Sequence, residues 1–152
     1  MPNHCHNRVT FYSANTDAVA KLKQIFEDEN CFGQIIPEPD WANTPLMSSD
    51  VKRYTFSEPK GKVGELPQPN GTFQSTGCRD DRWYDWRLQN WDTKWDCYDV
   101  VVTDDDPDQF EVEFNTAWSP PEAICNELRE QYPDLAVSWF YDEPGMEFAG
   151  YL

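Results

Sequence analysis

The 152-residue sequence predicts one α+β domain, an antiparallel sheet carrying two helices on one of its faces. Three observations predict it. Segments of strict alternation occur near both ends and after residue 96. Two segments keep helical spacing, each opened by a capping residue and closed by a helix breaker or a polar stretch. Aromatic residues make up 15% of the chain, enough bulk for a core despite a mean hydropathy of -0.79.

Taken in order, Asn7 to Ser13 alternates Val9 and Phe11 against polar neighbours and reads as the first strand. Asn15 or Thr16 then supplies an N-cap, Asp17 sits in the first turn, and Val19, Leu22, Ile25 and Phe26 form one helical stripe. Cys31 to Ile36 reads as a short strand stopped by Pro37 and Pro39. From Pro37 to about Cys78 no period survives, and Pro, Gly, Ser and Asn recur. Arg79 to Asn90 reads as a short helix with Trp83, Trp86 and Leu88 among its bulky residues.

A hairpin follows, with strands at Cys97–Thr103 and Gln109–Trp118 joined by the acidic run Asp104-Asp105-Asp106-Pro107-Asp108. In its second strand Phe110, Val112, Phe114 and Trp118 fall on one face and Glu111, Glu113 and Asn115 on the other, so one side of this sheet is wet and acidic. Ser119-Pro120-Pro121-Glu122 starts the next helix, with Ser as cap and Glu three residues on. Ile124, Leu128 and Tyr132 give it an apolar stripe, and Pro133 ends it. Leu135–Tyr141 is a strand, and Met146–Tyr151 pairs with it across Glu143-Pro144-Gly145. Without the irregular middle the order is β-α-β-β-α-β plus a terminal strand. That is the split βαβ, ferredoxin-like order, here with a long insertion after the first helix, at about residues 37–90 of a single domain spanning 1–152.

The net charge of -16 is unevenly placed: residues 1–76 contribute -2 and residues 77–152 contribute -14. No basic side chain lies between Lys94 and Arg129, where ten acids occur. Such a field repels phosphates and anionic lipid and attracts basic protein surfaces, which sets aside direct binding of nucleic acid. No apolar run approaches the roughly 20 residues that span a bilayer. The N-terminal ten residues are polar, unlike a secretory leader, and the five cysteines are odd in number and irregularly spaced. A cytoplasmic protein with reduced thiols is the expectation.

Four segments carry a resemblance: Pro2-Asn3-His4-Cys5-His6-Asn7, Trp91-Asp92-Thr93-Lys94-Trp95-Asp96, Phe114-Asn115-Thr116-Ala117-Trp118-Ser119-Pro120-Pro121, and Tyr141-Asp142-Glu143-Pro144-Gly145 running into Phe148-Ala149-Gly150-Tyr151. Together they resemble the YubB-type ferredoxin-like domain family of phages and conjugative plasmids, over both ends of the chain but not the insertion. The resemblance implies a fold and a mobile-element origin, and brings no site residues with it. One departure stands out: Asp92 occupies the place of a Gly, where a backbone needing positive φ would be strained.

Two surfaces compete for a role. The first is acidic: Asp99, Asp104, Asp105, Asp106, Asp108, Glu111 and Glu113 on the wet face and tip of the hairpin, where carboxylates on a rigid sheet imitate the charge of DNA phosphates. It implies a non-enzymatic accessory protein that binds a basic surface of a host protein, as a DNA mimic or an inhibitor of a DNA-binding enzyme. The second is aromatic: Trp91, Lys94, Trp95 and Trp118, as a clamp for a small ligand or a catalytic pocket under the insertion, against the plainer reading that these tryptophans fill the core.

Catalytic signatures do not point elsewhere. His4 and His6 flank Cys5 as a two-ligand pair without a second clamp. The Asp104–Asp108 run lacks the spacing, central Gly and terminal Glu of an EF-hand loop. There is no P-loop, dinucleotide fingerprint or nucleophile elbow. No metal and no cofactor are expected.

Overall fold

The computed structural model describes residues 3–44, 65–67, 73–75 and 82–152. Chain contacts divide it into two units, Met1–Pro37 with Arg87–Leu152, and Glu38–Trp86. The second of these falls within the insertion expected at about residues 37–90. Its basic residues Lys52, Arg53, Lys60 and Lys62, and Cys78, lie outside the described residues.

The larger unit is built on a five-stranded antiparallel sheet. Its strands are β1 (His4–Tyr12), β4 (Tyr98–Asp106), β5 (Gln109–Ala117), β6 (Ala136–Glu143) and β7 (Phe148–Tyr151), in the spatial order β4-β5-β1-β6-β7. Setting β7 aside, the first and third core strands lie side by side at the centre, as the ferredoxin-like order requires. Register places Val9 of β1 between Val112 and Trp139, and its neighbour Arg8 between Glu113 and Phe140. Alternation then sends the first set to the core and the second to the opposite face.

Helix α1 (Thr16–Glu27) begins as expected, with the Asn15 side chain accepting the Ala18 N–H, and buries Val19, Leu22, Ile25 and Phe26. Helix α4 (Glu122–Gln131) buries Ile124, Cys125 and Leu128. Between them and the sheet sits an aromatic core. The Phe11 and Phe110 rings are 5.0 Å apart, and Trp139 meets Phe114 edge-on at 5.6 Å. Such pairs add about 0.5–1.5 kcal/mol each beyond area burial.

Three elements differ from expectation. Cys31–Ile35 is a helical turn, α2, and not a strand. Both Asp96 carboxylate oxygens accept its Phe32 N–H at 3.1 Å, a cap donated from outside the segment. Strand β4 runs on to Asp106, so Asp104 and Asp105 pair by backbone with Glu111 and Phe110, and only the turn after Asp106 forms the tip. Ser119 does not cap α4. Its hydroxyl donates to the Asp92 carbonyl, while the Asp92 carboxylate accepts the Ala123 N–H at 2.8 Å. Asp92 does adopt the left-handed conformation anticipated for a glycine position, with φ 61°.

The smaller unit contains a 3-10 turn at Trp41–Asn43 and a two-stranded ladder of β2 (Glu65–Pro67) and β3 (Phe73–Ser75). Helix α3 (Arg82–Asn90) lies within the helix expected from Arg79, residues 79–81 falling outside the described residues, and the division between units falls after Trp86. Buried Arg82 donates to the carbonyls of Trp41 and Thr44 and lies over the Trp41 ring.

Candidate functional site

The helices cover one side of the sheet, and the other side is built from the alternate residues of the same strands. From β1 it takes His4, His6, Arg8, Thr10 and Tyr12, opposite the buried Cys5, Asn7, Val9 and Phe11. From β5 it takes Glu111, Glu113 and Asn115, all half-buried between neighbours. Strand β6 adds Ser138, Phe140 and Asp142, and β7 adds Tyr151, the most exposed of the large apolar side chains described.

A depression of about 450 Å³ opens on this face, lined among others by His6, Arg8, Asp99, Glu113, Phe140 and Asp142. A second, of about 280 Å³, continues it past Phe140 to Tyr151. The polar groups along the floor are already knitted together. Arg8 Nε donates to Glu113 Oε1 at 2.8 Å. His6 Nδ1 lies 2.6 Å from Asn115 Oδ1, and Asn115 Nδ2 donates to Asp99 Oδ2 at 3.2 Å. Glu111 accepts from Thr103 and Thr10. At the rim the Tyr98 hydroxyl meets His4 Nδ1 at 2.5 Å. Burial, with Asp99 beside it, holds the Tyr98 phenol above its ordinary range.

The acidic residues singled out in the sequence are thus only partly a free surface. Asp99, Glu111 and Glu113 do share one face, and Asp106 and Asp108 are exposed at the hairpin tip. Glu113 is ion-paired, however, and Asp99 and Glu111 accept hydrogen bonds from uncharged neighbours. An exposed ion pair such as Arg8–Glu113 contributes less than about 1 kcal/mol to stability, so its main effect is on local charge. The sequence reading missed Arg8, His6, Phe140 and Asp142. The signal was the alternation of β1, whose odd positions point to the core and whose even ones must point here.

The tryptophan cluster does not form one exposed clamp. Trp91 is core, with its indole N–H donated to the Ile36 carbonyl at 3.0 Å, Phe32 edge-on and the Arg87 guanidinium stacked 5.1 Å from its ring. Trp95 is exposed beneath Lys94, whose ammonium sits 4.3 Å from the ring centroid. Trp118 is 45% exposed, in the left-handed conformation at φ 71°, where its N–H is taken by the Asn3 carbonyl.

What the motif residues do is hold backbone. Asn7 is buried and fully satisfied: it donates to the Cys5 carbonyl and to Thr116 Oγ1, and accepts the Trp139 indole N–H at 3.0 Å. The Thr116 hydroxyl donates a hydrogen bond to the Ser119 carbonyl, and the Thr93 hydroxyl to the Trp95 carbonyl. Removing Asn7 would strand two buried polar groups at about 1–3 kcal/mol each, which is why an apolar residue of its size is no substitute.

Sheet order and helix placement define a ferredoxin-like α+β protein. Residues 90–152 match the family model described as the ferredoxin-like domain in Api92-like protein. The crystal structure of the protein Api92 from Yersinia pseudotuberculosis is similar in fold. The likeness covers 99% of this chain and 93% of that one, with a TM-score of 0.62 at 10% sequence identity. No curated protein matches. Among the described residues no helix is long and apolar enough to cross a membrane.

Proposed function

We propose that this chain is a non-catalytic accessory protein of a phage or conjugative plasmid that docks a basic surface of a host protein on its open sheet face. The mobile-element origin rests on the four segments that resemble the YubB-type family. The observation that carries the binding mode is the composition of the open face. Among the described residues, Asp99, Glu111, Glu113 and Asp142 stand there against a single Arg8, with Asp106 and Asp108 exposed beyond them. Three of those carboxylates and the Phe140 ring line the larger depression. Carboxylates beside an aromatic edge suit a guanidinium or ammonium group of a partner, which stacks and ion-pairs at once. A host DNA-binding enzyme is the natural target, because its surface is already built to meet rows of negative charge.

The test is capture from nuclease-treated host lysate on immobilised protein, comparing the native chain with the Asp99→Asn/Asp142→Asn double variant. The native protein is expected to retain a DNA-binding protein at low salt and release it at high salt, and the double variant to retain several-fold less. Equal retention by both would remove the open face as the contact. Retention of the same protein by the native chain through high salt would move the contact to the exposed aromatic residues Trp95, Trp118 and Tyr151.

A further inference from the structure

On the helix side of the larger unit, two sulfurs and a carboxylate oxygen converge. Cys31 opens α2, and Asp96 and Cys97 immediately precede β4; their ligand atoms all lie within 4.8 Å of one another. We propose that Cys31, Asp96 and Cys97 form a binding site for a thiophilic divalent cation, Zn²⁺ by preference, independent of the open sheet face.

The distances fit this chemistry. With Zn–S bonds of about 2.3 Å and Zn–O of about 2.0 Å, two sulfurs on a tetrahedral ion lie about 3.8 Å apart and a sulfur and an oxygen about 3.5 Å apart, so the cluster needs to contract by about 1.3 Å at most. Two thiolates and one carboxylate suit a borderline-soft ion and disfavour Mg²⁺ or Ca²⁺, which take oxygen ligands. The carboxylate is already oriented by backbone donors: both of its oxygens accept Phe32 N–H at 3.1 Å, and Oδ1 also accepts Cys97 N–H at 2.7 Å. Hydrogen bonds of that kind fix the ligand atom and leave lone pairs for the metal.

Access is also present. Cys31 is buried, but Cys97 is half-buried and lines a depression of about 380 Å³ together with Glu27, Asp28 and Glu29. Those three carboxylates concentrate cations at the entrance. Coordination exchanges each S–H bond for an S–metal bond and sends the two protons to water. The three protein ligands leave a fourth position for water.

The experiment uses the full chain, freed of metal by a chelator and kept reduced, titrated with Cd²⁺ as probe and then with Zn²⁺. Ultraviolet thiolate-to-metal charge transfer reads Cd²⁺, and equilibrium dialysis counts Zn²⁺. One equivalent of each is expected. Cys97→Ser should abolish most of the charge transfer, and Asp96→Asn, which keeps an acceptor for the α2 N–H groups, should weaken binding by at least about tenfold. The His4→Ala/His6→Ala double variant and Cys78→Ser should bind as the native protein does. Circular dichroism confirms that each variant is folded, and Cys97→Ser and Asp96→Asn carry the test if Cys31→Ser does not fold. Absence of stoichiometric charge transfer, its survival in Cys97→Ser, or its loss in the histidine variant would each overturn the site.

Discussion

Arg8 decides how the open face responds to charge. Among the described residues it is the one Lys or Arg beside the carboxylates lining the larger depression, and it is spent on Glu113 at 2.8 Å. If the carboxylates are the contact, replacing Arg8 by Gln frees Glu113 and strengthens capture of a basic partner, by about two- to fivefold at low salt. If instead the face takes an anion or a nucleobase, Arg8 is the anchor and the same substitution weakens binding. A titration of the native and Arg8→Gln proteins against one captured partner reads the sign directly, and a loss would end the acidic reading. Stability should hardly move, because the Arg8 side chain is largely exposed and Glu113 is only half-buried.

At the scale of elements, Asp92 shows how a departure from a motif is compensated. A left-handed φ of 61° costs a non-glycine residue about 1 kcal/mol, yet the Asp92 carboxylate accepts the Ala123 N–H in the first turn of α4, next to the positive end of the helix dipole. Cap and dipole together exceed the strain, so the expected order of stability is native and Asp92→Asn highest, Asp92→Gly below them, and Asp92→Ala lowest. Gly relieves the backbone but loses the cap, whereas Ala loses the cap and keeps the strain, for about 1–3 kcal/mol in total. Urea unfolding of the four proteins checks it, and Asp92→Gly as the most stable would mean the cap contributes little. The same element explains what was legible. Strands β1 and β5 and helices α1 and α4 bury one face against the whole core, so their period survives in the sequence. Helix α2 depends on Asp96, 64 residues from the Phe32 it caps, and no local pattern records that. The open face was half legible for a related reason: the acids of β5 announce themselves, while Arg8, Phe140 and Asp142 become neighbours only through strand pairing. Trp91 took the plainer of its two readings, core, whereas Trp95 and Trp118 are exposed, and a bulky residue in a polar segment is assigned only once its neighbours are known.

At the scale of the molecule, folding and binding should depend on salt in opposite directions. A net charge of -16 on 152 residues, most of it in the second half of the chain, makes the compact state repel itself. Salt shortens the range of that repulsion, from about 30 Å at 0.01 M to about 3 Å at 1 M, so the thermal midpoint should rise with sodium chloride. Attraction to a basic partner is screened by the same ions and should fall over the same range. Thermal unfolding by circular dichroism and partner capture, measured on one salt series, therefore separate the two contributions. A loss of capture at high salt cannot then be assigned to unfolding, because the protein is most stable there. A midpoint that stays flat would show that local pairings such as Arg8 with Glu113, and the hydrogen bonds to Asp99 and Glu111, already offset the repulsion within the fold. In that event the far field is weak, steering contributes little, and a partner must be held by close contacts inside the Phe140 depression.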